Sequence, residues 1–369
     1  MGEIGGPPPR ALQGTGRMRR IALLHAYSPL NSGDGLLVEQ AVDLVHEALG
    51  ARLHIDIFAS RPDGFAAARE PDVDVVGTRP GLRGYSRAYL RRLARLDEYD
   101  LVVGVGGGYL RFGTPVEAIK TWLVHMPQLA WAARAENAVY LPQSCGPLGP
   151  VSGPVVRRLL ARTGTVMLRD DRSVSDCSGV DAIRTPDCGL LGLRRAELPF
   201  DEDAPVIVGT RILRGGAERE VEEVARRLAP VDGLVQSRVG ANNDEEPTRR
   251  VGAHRLYSQA DLASMSRARV VISVRLHGAL MALAAGHYPI HLSYERKGFG
   301  AFGDLGLDDH VHNVYSMPID RIVAQAEALA HDPAARARFD ARVASALPRL
   351  AQRRSEVVAA LSTAVRGRA

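Results

Sequence analysis

Short apolar runs alternate along the chain with segments whose apolar positions recur every three or four residues. The runs lie at 21–26, 53–59, 73–76, 101–105, 138–141, 166–168, 206–208, 270–274 and 290–292. They lack the in-out alternation of a half-exposed strand, which predicts parallel strands covered on both faces. Between the first two runs, Leu37, Ala41, Leu44 and Ala48 mark one face of a helix that stops at Gly50. The same spacing predicts helices over 84–96, 117–134, 153–162, 217–228 and 276–285. Strand, helix, strand with short connections is the signature of a doubly wound α/β architecture with right-handed crossovers.

The stretch 197–205 is acidic and proline-bearing, and it separates one set of alternations from the next. The expected organisation is therefore a disordered tail over 1–19, an N-terminal Rossmann-like domain over 20–199, a C-terminal one over 200–332, and C-terminal helices over 333–369. In that last segment Phe339, Val343, Leu347, Leu350, Val357, Leu361 and Val365 recur at near-helical steps, interrupted by Pro348. Two packed helices are expected there rather than a membrane-surface helix.

At 369 residues the chain is too long for a single small binding module, and 46% hydrophobic with 24% charged residues suits a folded protein with a sizeable core. The net charge is +5, yet Lys120 and Lys297 are the only lysines among 47 basic residues. Such an arginine bias, beside heavy glycine and alanine usage, reads as a property of the coding sequence. Acidic residues are interspersed and aromatics are only 5%, so no nucleic-acid surface is expected. The corollary is that either lysine stands out. Cys145, Cys177 and Cys188 show neither disulfide nor zinc spacing. A cytoplasmic setting is expected, with a peripheral place at the membrane still open and no transmembrane segment; the oligomeric state is not specified.

Open α/β sheets bind ligands beyond the carboxyl ends of their strands. One such loop, Asn31-Ser32-Gly33-Asp34-Gly35, precedes a helix, so small residues and free N–H groups face whatever binds there, although Asp34 also suits a helix cap. Another, Gly104 to Tyr109 with Gly106, Gly107 and Gly108, only approximates a nucleotide fingerprint and equally suits a tight strand-to-helix turn. In Gln143-Ser144-Cys145-Gly146-Pro147-Leu148 the Gly-Pro pair is turn chemistry first. The most informative is Ser273-Val274-Arg275-Leu276-His277-Gly278, which ends a strand and opens an alanine-rich helix. A helix N-terminus attracts anions, a guanidinium adds a bidentate grip, and a histidine there can exchange protons with a substrate. Tyr294-Glu295-Arg296-Lys297 follows the next strand, which brings one of the two lysines to the neighbouring strand end.

In this order the pieces resemble the polysaccharide pyruvyl transferase family. The matching residues are Asn31, Gly33 and Asp34; Gly106 to Gly108; Gln143, Gly146 and Pro147; Arg169, Asp170 and Ser173; Pro186 and Asp187; Arg275, Leu276 and His277; and Tyr294 with Lys297. Cys145 stands where the family usually has a small or aliphatic residue, and Tyr109 where serine is common. The resemblance implies two Rossmann-like lobes, as in nucleotide-sugar glycosyltransferases of the GT-B type, and a role in polysaccharide or exopolysaccharide biosynthesis. It also implies transfer of the pyruvyl unit of phosphoenolpyruvate to two sugar hydroxyls as a ketal, on a glycan acceptor that is free or lipid-linked.

Phosphoenolpyruvate carries a carboxylate and a phosphate, and Arg275, Lys297 and Arg169 come from three strand ends to meet them, with Arg211 as a further anion binder. No metal or other cofactor is needed by that count. His277 is then the candidate general acid and base, with Arg275 beside it, and Asp34 would position or deprotonate an acceptor hydroxyl. Asn31, Gly33, Gly106, Gly107, Gly108, Gln143, Gly146 and Tyr294 would line the substrate loops. Arg169 and Asp170 also suit a buried ion pair with each other. Two other classes stay open: a nucleotide-sugar glycosyltransferase or epimerase, which would need an acidic residue for a ribose, and a catalytically silent ligand-binding protein.

Overall fold

The computed structural model describes residues 17–50, 52–65, 72–238 and 243–366. Of the expected tail, 1–16 lie outside the described residues, and Arg19 already belongs to the first strand. The chain builds two parallel sheets. The first contains β1 (Arg19–Ala26), β2 (Leu53–Ala59), β3 (Val73–Gly77), β4 (Leu101–Gly104), β5 (Gly107–Leu110), β6 (Ala138–Cys145), β7 (Thr165–Leu168) and β8 (Ala182–Arg184). Its order is β3-β2-β1-β4-β6-β7-β8, with β5 paired to β6 beyond the end of β4. The second contains β9 (Val206–Gly209), β10 (Val231–Leu234), β11 (Leu256–Tyr257), β12 (Val270–Ser273), β13 (Tyr288–Ser293) and β14 (Val311–Asn313), in the order β11-β10-β9-β12-β13-β14.

Both orders reverse beside the first strand of their sheet, so each lobe has a switch point where a crevice opens at the carboxyl ends. In the first lobe that point lies between β1 and β4, and in the second between β9 and β12. The buried faces of β1 explain its apolar run: Ile21 and Leu23 pack with the helix Ser32–Leu49, while Ala22 and Leu24 pack on the opposite face with Tyr99 and Tyr140.

Three expectations need correction. The glycine run after β4 does not turn into a helix; Gly107–Leu110 continues as a strand, because its backbone finds a parallel partner in β6. Gln143 lies within β6 rather than in a loop after it. The C-terminal segment is one 34-residue helix, Pro333–Arg366, with Pro348 inside it. That helix packs Phe339, Val343 and Leu350 into the second lobe's core and Val357 and Leu361 into the first lobe's, so packing on both sides holds the helix through the proline's lost backbone bond.

Candidate active site

A cavity of about 490 Å³ lies between the carboxyl ends of the two sheets. Two helices point their N-termini into it. One is Ser32–Leu49, capped by Asn31, whose side chain accepts from the Gly33 amide at 3.3 Å and donates to Asp34 Oδ2 at 2.6 Å. The other is Leu276–Ala284, which opens straight after β12 with Arg275 in the cap position. The lobes meet here: Ser32 Oγ donates to the Gln236 carbonyl at 3.0 Å, and Asn31 bridges to Ser237. A Cβ on Gly33 would lie 2.8 Å from His277 Nδ1 and 2.9 Å from its Cβ, so only glycine lets the two helix ends approach this closely.

His277 borders the cavity, and its Nε2 lies 3.3 Å from Asp187 Oδ1. Asp187 also accepts from the Gly189 amide at 2.9 Å and, on Oδ2, from Arg169 Nη1 at 2.5 Å. Although burial would raise the Asp187 pKa, Arg169 and then His277 hold it well below the usual carboxylate range. Asp187 is therefore an ionised partner behind the imidazole, the arrangement that fixes a histidine's ring and tautomer. Arg169 does not pair with Asp170. Its Nε donates to Ser144 Oγ at 2.9 Å, while Asp170 caps the helix Asp171–Asp176 by accepting from the Ser173 amide and hydroxyl, both at 2.8 Å.

The other cations arrive with partners. Arg275 lays its Nε and Nη2 on the two oxygens of buried Asp244, both at 2.6 Å, so that edge of its fork is already engaged. Arg211 donates to the Tyr294 hydroxyl at 2.9 Å. Lys297 Nζ lies 3.0 Å from Glu295, which also takes Arg111 at 2.8 Å. Against its burial, Lys297 and Arg111 hold the Glu295 carboxyl well below its ordinary pKa. Asp34 behaves oppositely: desolvation raises its pKa above the ordinary 3.8, against the pull of His277, Lys297, Lys120 and Arg275. A carboxylate in that state is a stronger base than an exposed one.

The cavity thus gathers Asn31, Asp34, Gly106, Gly107, Gly108, Arg169, Arg211, Arg275, His277, Tyr294 and Lys297. Gly33 supports it from within the first helical turn. Gln143 and Gly146 do not line it. Gln143 is fully buried inside β6, and Gly146, at φ +95° before a cis Pro147, faces a smaller neighbouring cavity of about 200 Å³ together with Gly108.

Sequence reasoning missed a nest on the first lobe's side. His25, next to last in β1, holds φ at +70°, a strained value for a side-chain-bearing residue. Its amide donates to Gln128 Oε1 at 2.8 Å, its ring stacks on Tyr109 with centroids 4.2 Å apart, and its two nitrogens face His125 and the Tyr140 hydroxyl at 3.3 and 3.0 Å. Burial first, then Lys120 and Arg79, push the His125 pKa down to about 3; burial and then His125 lower that of His25. Both rings are neutral hydrogen-bonding groups near pH 7. Lys120 reaches the same wall with its ammonium 4.7 Å from the centre of the Tyr27 ring. The rarity of lysine was its signal, and the strand-end rule applied to β1 would have found His25. Asp244 had no comparable signal.

Among the described residues, His54, Asp56 and Asp74 are the group with ligand atoms close enough for a metal ion. They lie toward the amino ends of β2 and β3, away from the cleft, and Arg20 and Arg92 already pair with the two carboxylates.

Two facing parallel-sheet lobes with a cleft at their carboxyl ends define the GT-B class of fold. Solved structures agree. UDP-GlcNAc 2-epimerase from Neisseria meningitidis bound to UDP-GlcNAc is 9% identical over 93% of this chain and 99% of its own, with a TM-score of 0.55. Spinosyn Forosaminyltransferase SpnP is 15% identical over 95% and 100%, at 0.51, and an alpha-glucosyltransferase in complex with UDP is 10% identical over 91% and 96%, also at 0.51. These likenesses concern the fold alone. Residues 31–296 match the family Polysaccharide pyruvyl transferase, and the chain belongs to that family. No curated protein matches it in sequence.

Proposed function

We propose that this pyruvyl transferase takes its pyruvyl unit from phosphoenolpyruvate and installs it on two hydroxyls of a sugar as a cyclic ketal, releasing phosphate. The observation that carries the reading is the buried row Arg169, Asp187, His277, set at a helix N-terminus on a cavity rich in cations. Phosphoenolpyruvate needs such a place, because a carboxylate and a phosphate must be held while charge redistributes. Arg275, Arg211 and Lys297 would face those anions from the second lobe, with Arg169 behind the glycines of β5. The count of cations asks for no metal.

In this scheme His277, protonated and steadied by Asp187, gives a proton to the methylene carbon. The resulting oxocarbenium-like centre accepts one sugar hydroxyl, whose proton passes to Asp34 or solvent. The C2–O bond to phosphate then breaks, and the second hydroxyl adds to C2 to close the ketal, its proton passing to the now neutral His277. Asp34 sits across the cleft from the donor cations, and its raised pKa suits it to hold a hydroxyl proton. Acceptor-dependent release of phosphate from phosphoenolpyruvate tests the reading. Release only when a glycan acceptor is present supports it. Inertness toward phosphoenolpyruvate, with cleavage of a nucleotide-sugar instead, would replace it with the glycosyltransferase or epimerase chemistry of the fold's other users. Inertness toward both would favour a silent ligand-binding protein.

A further inference from the structure

The helical segment that carries Lys120 and His125 into the cleft shows solvent an apolar back. It runs from Pro115 to Ala132 through a π-helical stretch, Thr121–His125, a local widening often found at functional sites. Val116, Ile119, Trp122 and Leu123 are all exposed, at spacings that place them along one ridge. Beside the ridge, Gly81 and Gly84 close a tight turn with reciprocal backbone bonds of 2.9 and 3.0 Å, and Leu82 at its tip is fully exposed. The two features are one surface, because the Tyr85 hydroxyl donates to the Leu123 carbonyl at 2.5 Å.

On the turn and the helix that follows it, charge has a single sign. From 78 to 96 there are six arginines and no acidic residue. Arg92 is held by Asp74 and Asp56, and Arg95 by Glu98. Arg79, Arg83, Arg87 and Arg91 form no ion pair among the described residues, and exposed Leu90 stands between the last two on their helix.

We propose that this basic, apolar rim is a docking surface for an anionic lipid bilayer, one that sets the mouth of the cleft at the headgroup layer. The charge fits, since arginines without acidic neighbours are drawn to anionic headgroups at about 1 kcal/mol each. The shape fits as well: leucines and a tryptophan project from a turn tip and a helix ridge, so they can enter the interface while the arginines stay at phosphate level. The inference goes beyond the proposed reaction and does not depend on its donor.

Flotation of the full-length protein with vesicles of phosphatidylcholine, with and without phosphatidylglycerol, tests it. Binding is expected only with the anionic lipid, weakening as salt is raised. Arg83→Gln and Arg87→Gln should each lower partitioning about fivefold, and Leu82→Ser about tenfold, with circular dichroism unchanged. Equal binding to both vesicle types, binding indifferent to these variants, or no binding at all would overturn the proposal. So would a self-association, seen by sedimentation without vesicle binding, that Leu82→Ser abolishes; the rim would then be a contact between copies.

Discussion

Asp187 serves two partners with its two oxygens, His277 on one and Arg169 on the other. Replacing it by asparagine leaves the Arg169 guanidinium buried without a counter-charge, a loss of about 3–5 kcal/mol for a broken buried pair. Denaturant unfolding of Asp187→Asn checks this, and an unchanged midpoint would mean that Arg169 finds another partner. His125 makes a pH prediction. Its pKa falls from 6.5 to about 3 on folding, so the neutral ring is favoured in the native state. That stability is complete above about pH 6.5 and is lost progressively as pH falls toward about 3. The melting temperature of His125→Gln should therefore decline less steeply across that window than the parent's. The same residues show what a sequence makes legible. Arg275 and His277 stand out because a strand pattern and a helix pattern meet at them. Asp187 was reached only through a family resemblance, since nothing local says that it lies behind His277. His25 sits at the carboxyl end of the first apolar run, so its place is legible by the strand-end rule, but its strained backbone leaves no mark.

At the scale of elements, two helix N-termini face each other across the cleft, and Gly33 sets their separation. Gly33→Ala would add a methyl group within 3 Å of His277, so the ends must part. Alanine suits the first turn of a helix, which makes the expected outcome selective: turnover falls at least about tenfold while the melting temperature holds near the parent value, because a small misplacement is costly to chemistry and cheap to folding. A matching fall in both would place Gly33 in the fold rather than the site. The strands with continuous apolar runs were legible from periodicity. Those that were missed are short or polar: β8 has only Ala182 and Ile183 before Arg184, β10 carries Asp232 and Gly233, and β14 is Val-His-Asn. Pro348 misled for a different reason. A proline costs an isolated helix about 3 kcal/mol, yet here two cores hold the segments on either side of it.

On the scale of the whole molecule, one long helix joins the cores of both lobes, and the site is completed only where the lobes meet, with Asn31 and Asp34 from the first and Arg275 and His277 from the second. The two-lobed plan was legible from the alternation of strands and helices, whereas the pairing of Arg275 with Asp244 and of Arg111 with Glu295 depends on distant segments brought together by folding. In the proposed reaction the donor's carboxylate and phosphate would link the lobes, so phosphoenolpyruvate at a hundred times its dissociation constant should stabilise the protein by about 2.7 kcal/mol, and should do so in the presence of a chelator. A thermal shift that vanishes with the chelator would bring a metal into the account. In the proposed reaction His277 protonates the donor within a pyruvyl transfer. The most direct measurement follows phosphoenolpyruvate labelled at its central carbon, with a glycan acceptor, in the parent protein and in His277→Gln. The label should appear as a ketal carbon on the acceptor with one phosphate released per ketal, and the variant should bind the donor almost as tightly but form ketal about a hundredfold more slowly or worse. Label that stays in phosphoenolpyruvate with the parent protein, or ketal formed at the parent rate by the folded variant, would contradict the proposed reaction.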